Sequence, residues 1–267
     1  MTLPDPAAPI PNPPGGEDLS GNDKISPGSA MPIPGADRAP RVWVWALAAG
    51  VVAGLLTWAG GEIAWGRIRA AQTPRIVAFP TAEDRDRVIW GQVKSTATSF
   101  IQQGAILGIV LGLAGGLARR SARAMLTAAV VGGSLGAAAA TGAAYGILPV
   151  YYRNVDPQEN ALGLPMITHG AIWAAAGAAA GLAFGLGLGG RFRWARCALG
   201  GMLGGVAATM VYDLVGAMAF PLDKTSQPVS ATVVTRLIAH LAVGILSAAG
   251  AAVACESREK PHSSPEI

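Results

Sequence analysis

A few ionisable side chains fall inside long apolar runs, and their chemistry needs explaining first. They are Glu62, His169, Asp213, Arg236 and His240, with Gln102, Gln103, Tyr145 and Tyr212 as polar company. Charge held at membrane depth is costly, so such residues mark solute paths, proton relays or compensating pairs. Three readings are open. In the first, these are interfacial residues within reach of water, with Asp213 and Arg236 as a structural ion pair. Arg236 lies a few residues inside its run and can snorkel outward, whereas Asp213 is deeper and needs a partner more. In the second, the group forms a solute or ion vestibule on the extracytoplasmic side. In the third, His169, His240 and Asp213 or Glu62 bind a metal or do catalysis, because two His and a carboxylate suit zinc.

The third reading has no motif behind it. There is no H-E-x-x-H, no G-x-S-x-G and no Walker loop. Gly185-Leu-Gly187-Leu-Gly189-Gly is a poor dinucleotide loop, since it lies in an apolar run with no strand before it. No catalytic residue, metal or cofactor is assigned, and an enzyme is the least favoured class. Cys197 and Cys255 form no C-x-x-C and no disulfide framework, and read as small buried thiols at the cytoplasmic ends of their runs.

The elements that must position these residues are six apolar runs, near 42–65, 99–118, 124–148, 166–189, 197–220 and 232–254. Each is long enough to cross a hydrocarbon core of about 30 Å. Hydrophobic residues make up 51% of the chain and charged ones 13%, against about a quarter charged in soluble domains. Gly104, Gly108, Gly112 and Gly116 recur every fourth residue, as do Gly177, Gly181, Gly185 and Gly189. On a helix that spacing makes one smooth face. In water four such glycines would cost about 1 kcal/mol each against alanine, but between membrane helices they allow backbone-to-backbone contact. The sequence therefore predicts an all-α polytopic membrane protein, a Gly/Ala-packed bundle of six transmembrane helices.

Arginines sit in two short joins, Arg119-Arg120-Ser-Ala-Arg123 and Arg191-Phe-Arg193-Trp-Ala-Arg196. The positive-inside rule puts both in the cytoplasm, and both termini with them. The expected location is a bacterial plasma membrane. Trp43, Trp45, Trp65, Tyr151, Tyr152 and Trp194 flank run ends as interfacial aromatics do. The segment 67–98 leads into the second helix and is placed outside, although its arginines argue against that side. Thr81-Ala-Glu-Asp84 reads as a helix start. Asp156-Pro-Gln-Glu159 reads as another, with a break at Pro165 before span four. Residues 1–40 are Pro- and Gly-rich and read as a disordered cytoplasmic tail, with 41–255 the membrane domain and 256–267 a short polar tail.

The runs also align with one another. Gln103-Gly-Ala-Ile106 matches His169-Gly-Ala-Ile172, and Thr168-His169 with Gly177 matches Thr235-Arg236 with Gly244. Gly132-Gly-Ser-Leu-Gly136 matches Gly200-Gly-Met-Leu-Gly204, with Gly50 and Gly54 as a looser third copy. Three similar helical hairpins follow: two with three, four with five, and six closing onto one. In the alignment Gln103, His169 and Arg236 are equivalent, and Glu62, Tyr145 and Tyr212-Asp213 nearly so, which makes one polar layer near the outer face. The expected partners are the lipid bilayer and other membrane helices or a second copy, with no nucleic acid. The function classes are a small transporter- or channel-like protein with an outer polar vestibule, or an assembly protein binding through its glycine faces. The first predicts a polar layer around one cavity. The second predicts a glycine groove facing lipid.

Overall fold

The computed structural model describes residues 39–71, 81–155, 163–220, 225 and 227–256, with side chains of the first helix from 42 to 63. Six helices make up this region: α1 (Ala39–Ala71), α2 (Ala82–Ala118), α3 (Ala122–Asn154), α4 (Gly163–Leu188), α5 (Arg193–Ala219) and α6 (Val233–Glu256). All six are long and apolar enough to cross a membrane. The fold is an all-α bundle of a multi-pass membrane protein. Its surface supports this. Leu126, Val130, Leu203, Met210, Leu214 and Met218 are all more than half exposed, while the interior is largely Ala, Gly and polar side chains. A soluble bundle would have the reverse distribution.

Helix α2 begins as its sequence predicts. The Thr81 hydroxyl accepts from the Asp84 amide and the Asp84 carboxylate accepts from the Thr81 amide, a reciprocal cap. Its 37 residues make a helix of about 55 Å, longer than a hydrocarbon core needs. Helix α3 runs past the expected end at residue 148, through Pro149 to Asn154. Pro165 lies in the first turn of α4, which begins at Gly163, where a missing amide proton leaves no helical bond unmade. The proposed helix start at 156–159 lies outside the described residues, as do the tails 1–38 and 257–267.

The glycine faces set how the helices meet. A Cβ added to Gly104, Gly108 or Gly112 of α2 would strike the α3 backbone at Gly136, Gly132 or Ala128. The same ladder joins α4 to α5, with Gly177 against Gly201 and Gly181 against Cys197, while Gly205 abuts Trp173. It appears again between α6 and α1, where Gly244 meets Gly50 and the His240 carbonyl abuts Gly54. Each hairpin then leans its second helix on the first helix of the next: α3 on α4, α5 on α6 and α1 on α2. The hairpins thus follow one another around an axis in a cyclic pattern. Gly189 departs from the expected packing role. It has φ of 72° and its amide bonds back to the Gly185 carbonyl, so it ends α4 in the left-handed conformation that glycine tolerates.

The cysteines also depart from expectation. Cys197 and Cys255 form a disulfide joining α5 to α6 at the arginine end, with Cα atoms 5.5 Å apart. Their wide separation in sequence hid the pairing, which only the α5–α6 packing creates. Tyr151, read as interfacial, is buried at 3% exposure. Tyr152 is half-buried, its hydroxyl 2.7 Å from that of Thr96.

Candidate functional site

At the end away from the arginine hairpins, the polar side chains gather around one cavity of about 40 Å³. That holds a few water-sized species. Helix α1 lines it with Thr57 and Glu62, α2 with Phe100 and Gln103, α4 with His169 and Trp173, α5 with Tyr212, and α6 with Arg236 and His240. The connection between α5 and α6 folds back over it through Pro228, Val229 and Ser230. Helix α3 contributes nothing.

Two pairs of a basic side chain with a carboxyl group stand here, and neither is the expected one. Arg236 does not meet Asp213. Its guanidinium forks onto Glu62, Nε to Oε1 at 2.7 Å and Nη2 to Oε2 at 2.9 Å, the bidentate geometry that suits arginine. Asp213 instead faces His169, Oδ1 to Nδ1 at 3.0 Å, with both side chains almost wholly buried. The reason is azimuthal. Asp213 and Glu62 lie two helical turns beyond Gly205 and Gly54, and His169 and Arg236 lie one turn before Trp173 and His240. The packing ladder thus makes the two pairs equivalent. In the third hairpin the equivalent residues are Phe100 and Ala144, which are apolar. The alignment of Gln103 with His169 and of Tyr145 with Asp213 is therefore out of register. Tyr145 falls one residue, about 100°, past the inward position. It is 40% exposed on the outer face of α3 and leaves the site.

The two basic side chains also contact the connecting loop. Arg236 Nη1 donates to the Ser230 and Ala231 carbonyls, both at 2.9 Å. His169 Nε2 lies 3.3 Å from the Pro228 carbonyl. The hydroxyls of Tyr212 and Ser230 are hydrogen-bonded to each other. Trp173 stacks on His169 with centroids 5.0 Å apart, and Tyr212 packs edge-on against both rings. Sequence reasoning missed Trp173, Phe100 and the loop. Trp173 could have been found one turn after His169 on the same face. The loop carries no signal beyond its proline.

Among the described residues several polar atoms have no hydrogen-bond partner here. The Trp173 indole N–H and His240 Nδ1 are buried in the cavity wall without one, and so is Asp213 Oδ2 nearby. Unpaired buried polar atoms are costly, and in native proteins water or a ligand commonly satisfies them. Among the described residues no group of three His, Cys, Asp or Glu is placed to hold a metal ion. No protein-family model, curated protein or solved structure matches this chain.

Proposed function

We propose that the protein is a small transporter- or channel-like membrane protein, and that the cavity under the α5–α6 loop is its solute or ion vestibule. One observation carries this reading: the charged and polar side chains turn inward around a shared cavity, with polar atoms in its wall that have no partner among the described residues. The glycine ladders support it too, because they are consumed in contacts between helices of the same chain. On this reading the arginine hairpins are cytoplasmic, the vestibule faces the other side, and the membrane is a bacterial inner membrane. On this reading the charged pairs serve binding.

Flux into liposomes tests it, with protons, Na⁺, K⁺ and Cl⁻ as separate probes. The expected result is a flux absent from protein-free vesicles and lost in the Glu62→Gln/Arg236→Gln double variant, with its fold retained. No flux of any probe would count against the vestibule. A second reading, assembly with other helices, rests on Gly142 and Gly146 of α3. They lie four residues apart and a Cβ on either meets nothing within 4 Å, a spacing suited to helix association.

A further inference from the structure

His169 meets an acidic side chain at one ring nitrogen and a backbone carbonyl at the other. Its Nδ1 faces the Asp213 carboxylate at 3.0 Å and its Nε2 faces the Pro228 carbonyl at 3.3 Å. A neutral imidazole has one N–H and one lone pair. It can satisfy one of these partners and must turn its lone pair on the other. Both bonds exist together only when the dyad holds an extra proton, as an imidazolium beside a carboxylate or as a neutral imidazole beside a carboxylic acid. Either way the buried dyad is neutral overall. The neighbouring hairpin supports this independently. At the equivalent position stands Arg236, a permanent cation, with Glu62 as its carboxylate and loop carbonyls as its other acceptors.

We propose that His169 and Asp213 form a proton-binding site that latches the α5–α6 loop across the cavity. With the proton bound, Nε2–H holds the Pro228 carbonyl and the vestibule is shut. When the dyad gives one proton to water, an N–H or O–H bond breaks and one bond of the latch is lost. The one N–H left on the ring stays with the Asp213 carboxylate, the stronger, charge-assisted acceptor, so Nε2 turns its lone pair on the carbonyl, the loop is released, and Pro228 and Val229 swing from the opening. Arg236 keeps its end of the loop in both states, so the movement hinges at Ser230–Ala231. The other titratable or charged groups in the cavity wall are Glu62 on α1, Tyr212 on α5, and Arg236 and His240 on α6. The proposal rests on the vestibule reading only for what the opening would admit.

The test leaves flux aside, so the latch and the vestibule can fail separately. Val229→Cys places a thiol in the cavity wall, and Gln227→Cys places one on the exposed part of the same loop. Each full-length variant is treated with a charged thiosulfonate reagent at a series of pH values. Rates at position 229 are divided by those at 227, and the same ratio in the Asp213→Asn protein gives the part due to the two thiols' different pKa values. The ratio is expected to rise with pH, by at most about tenfold per pH unit for one proton. In wild-type protein labelled with ¹⁵N-histidine, both His169 ring nitrogens should be protonated while the ratio is low, or Nε2 alone if Asp213 holds the extra proton. Asp213→Asn lets the amide donate to Nδ1 and leaves Nε2–H on Pro228, so it should keep the loop shut at every pH. His169→Phe should leave it open at every pH. A ratio that ignores pH in the wild type overturns the latch. So does an unprotonated Nε2 with the loop shut, or an unchanged pH profile in Asp213→Asn. The nitrogen spectra decide the question even if the variants do not fold.

Discussion

At the scale of single residues, the chemistry lies in which cation meets which carboxylate. The Asp213 side chain is 2% exposed and that of Glu62 is 26% exposed, so the two pairs differ in how far water can stand in for a lost partner. Asp213→Ala is expected to cost about 3–5 kcal/mol in unfolding experiments in detergent, the range for breaking a buried pair. Arg236→Gln should cost less, because the Glu62 carboxylate it strands reaches solvent. Coupling energies give the sharper check. Glu62→Gln and Arg236→Gln should compensate each other, whereas Asp213→Asn and Arg236→Gln should add. Compensation in the second pair would restore the Asp213–Arg236 contact that the structure replaces.

Helices meet here through glycine, so the element scale is governed by what a Cβ would strike. At Gly108 and Gly181 it would strike the carbonyls of Gly132 and Cys197, which belong to backbone and cannot turn aside. Overpacking in cores costs about 1–3 kcal/mol where side chains can shift. Gly108→Leu and Gly181→Leu should reach or exceed the upper figure, or leave no folded protein. Gly142→Leu is the contrast, since open space surrounds that position, and its unfolding in detergent should match the wild type. Should Gly142→Leu shift the apparent size of the detergent-solubilised protein without a loss of stability, α3 is a contact face between copies.

For the whole molecule the arginine end carries two signals at once. Its arginines favour the cytoplasmic side, while the bridge between Cys197 and Cys255 is of a kind that persists in oxidising surroundings. Cys197 has no exposed surface, so the bridge should resist reduction until the α5–α6 contact opens. Mass spectrometry after alkylation of the folded protein should find both cysteines blocked from alkylation, and free only after unfolding in reductant. Cys197→Ser/Cys255→Ser should lower stability by less than the roughly 4 kcal/mol that loop closure gives for a soluble chain, because the unfolded state in lipid keeps its helices. Cysteines placed at Ser121 and Thr81 should label from opposite sides of the membrane, with Ser121 labelling from the cytoplasm. Labelling of both from one side would refute the orientation.

The amino-acid sequence by itself determined the membrane class, the six spans, the Thr81 cap and the glycine faces. These depend on composition and on a period read along one helix, and no partner is needed to see them. It also placed the polar layer toward one end, because depth along a span follows from residue count. What lies across a gap was decided by the tertiary structure alone. One residue of register turns a side chain through about 100°, enough to send Tyr145 outward and to give Asp213 to His169 instead of Arg236. The disulfide depended likewise on α5 lying beside α6, and the loop over the cavity on carbonyls that no residue type announces. Chain order tells how deep a group sits, whereas the group it faces is settled only when helices lock at their glycines.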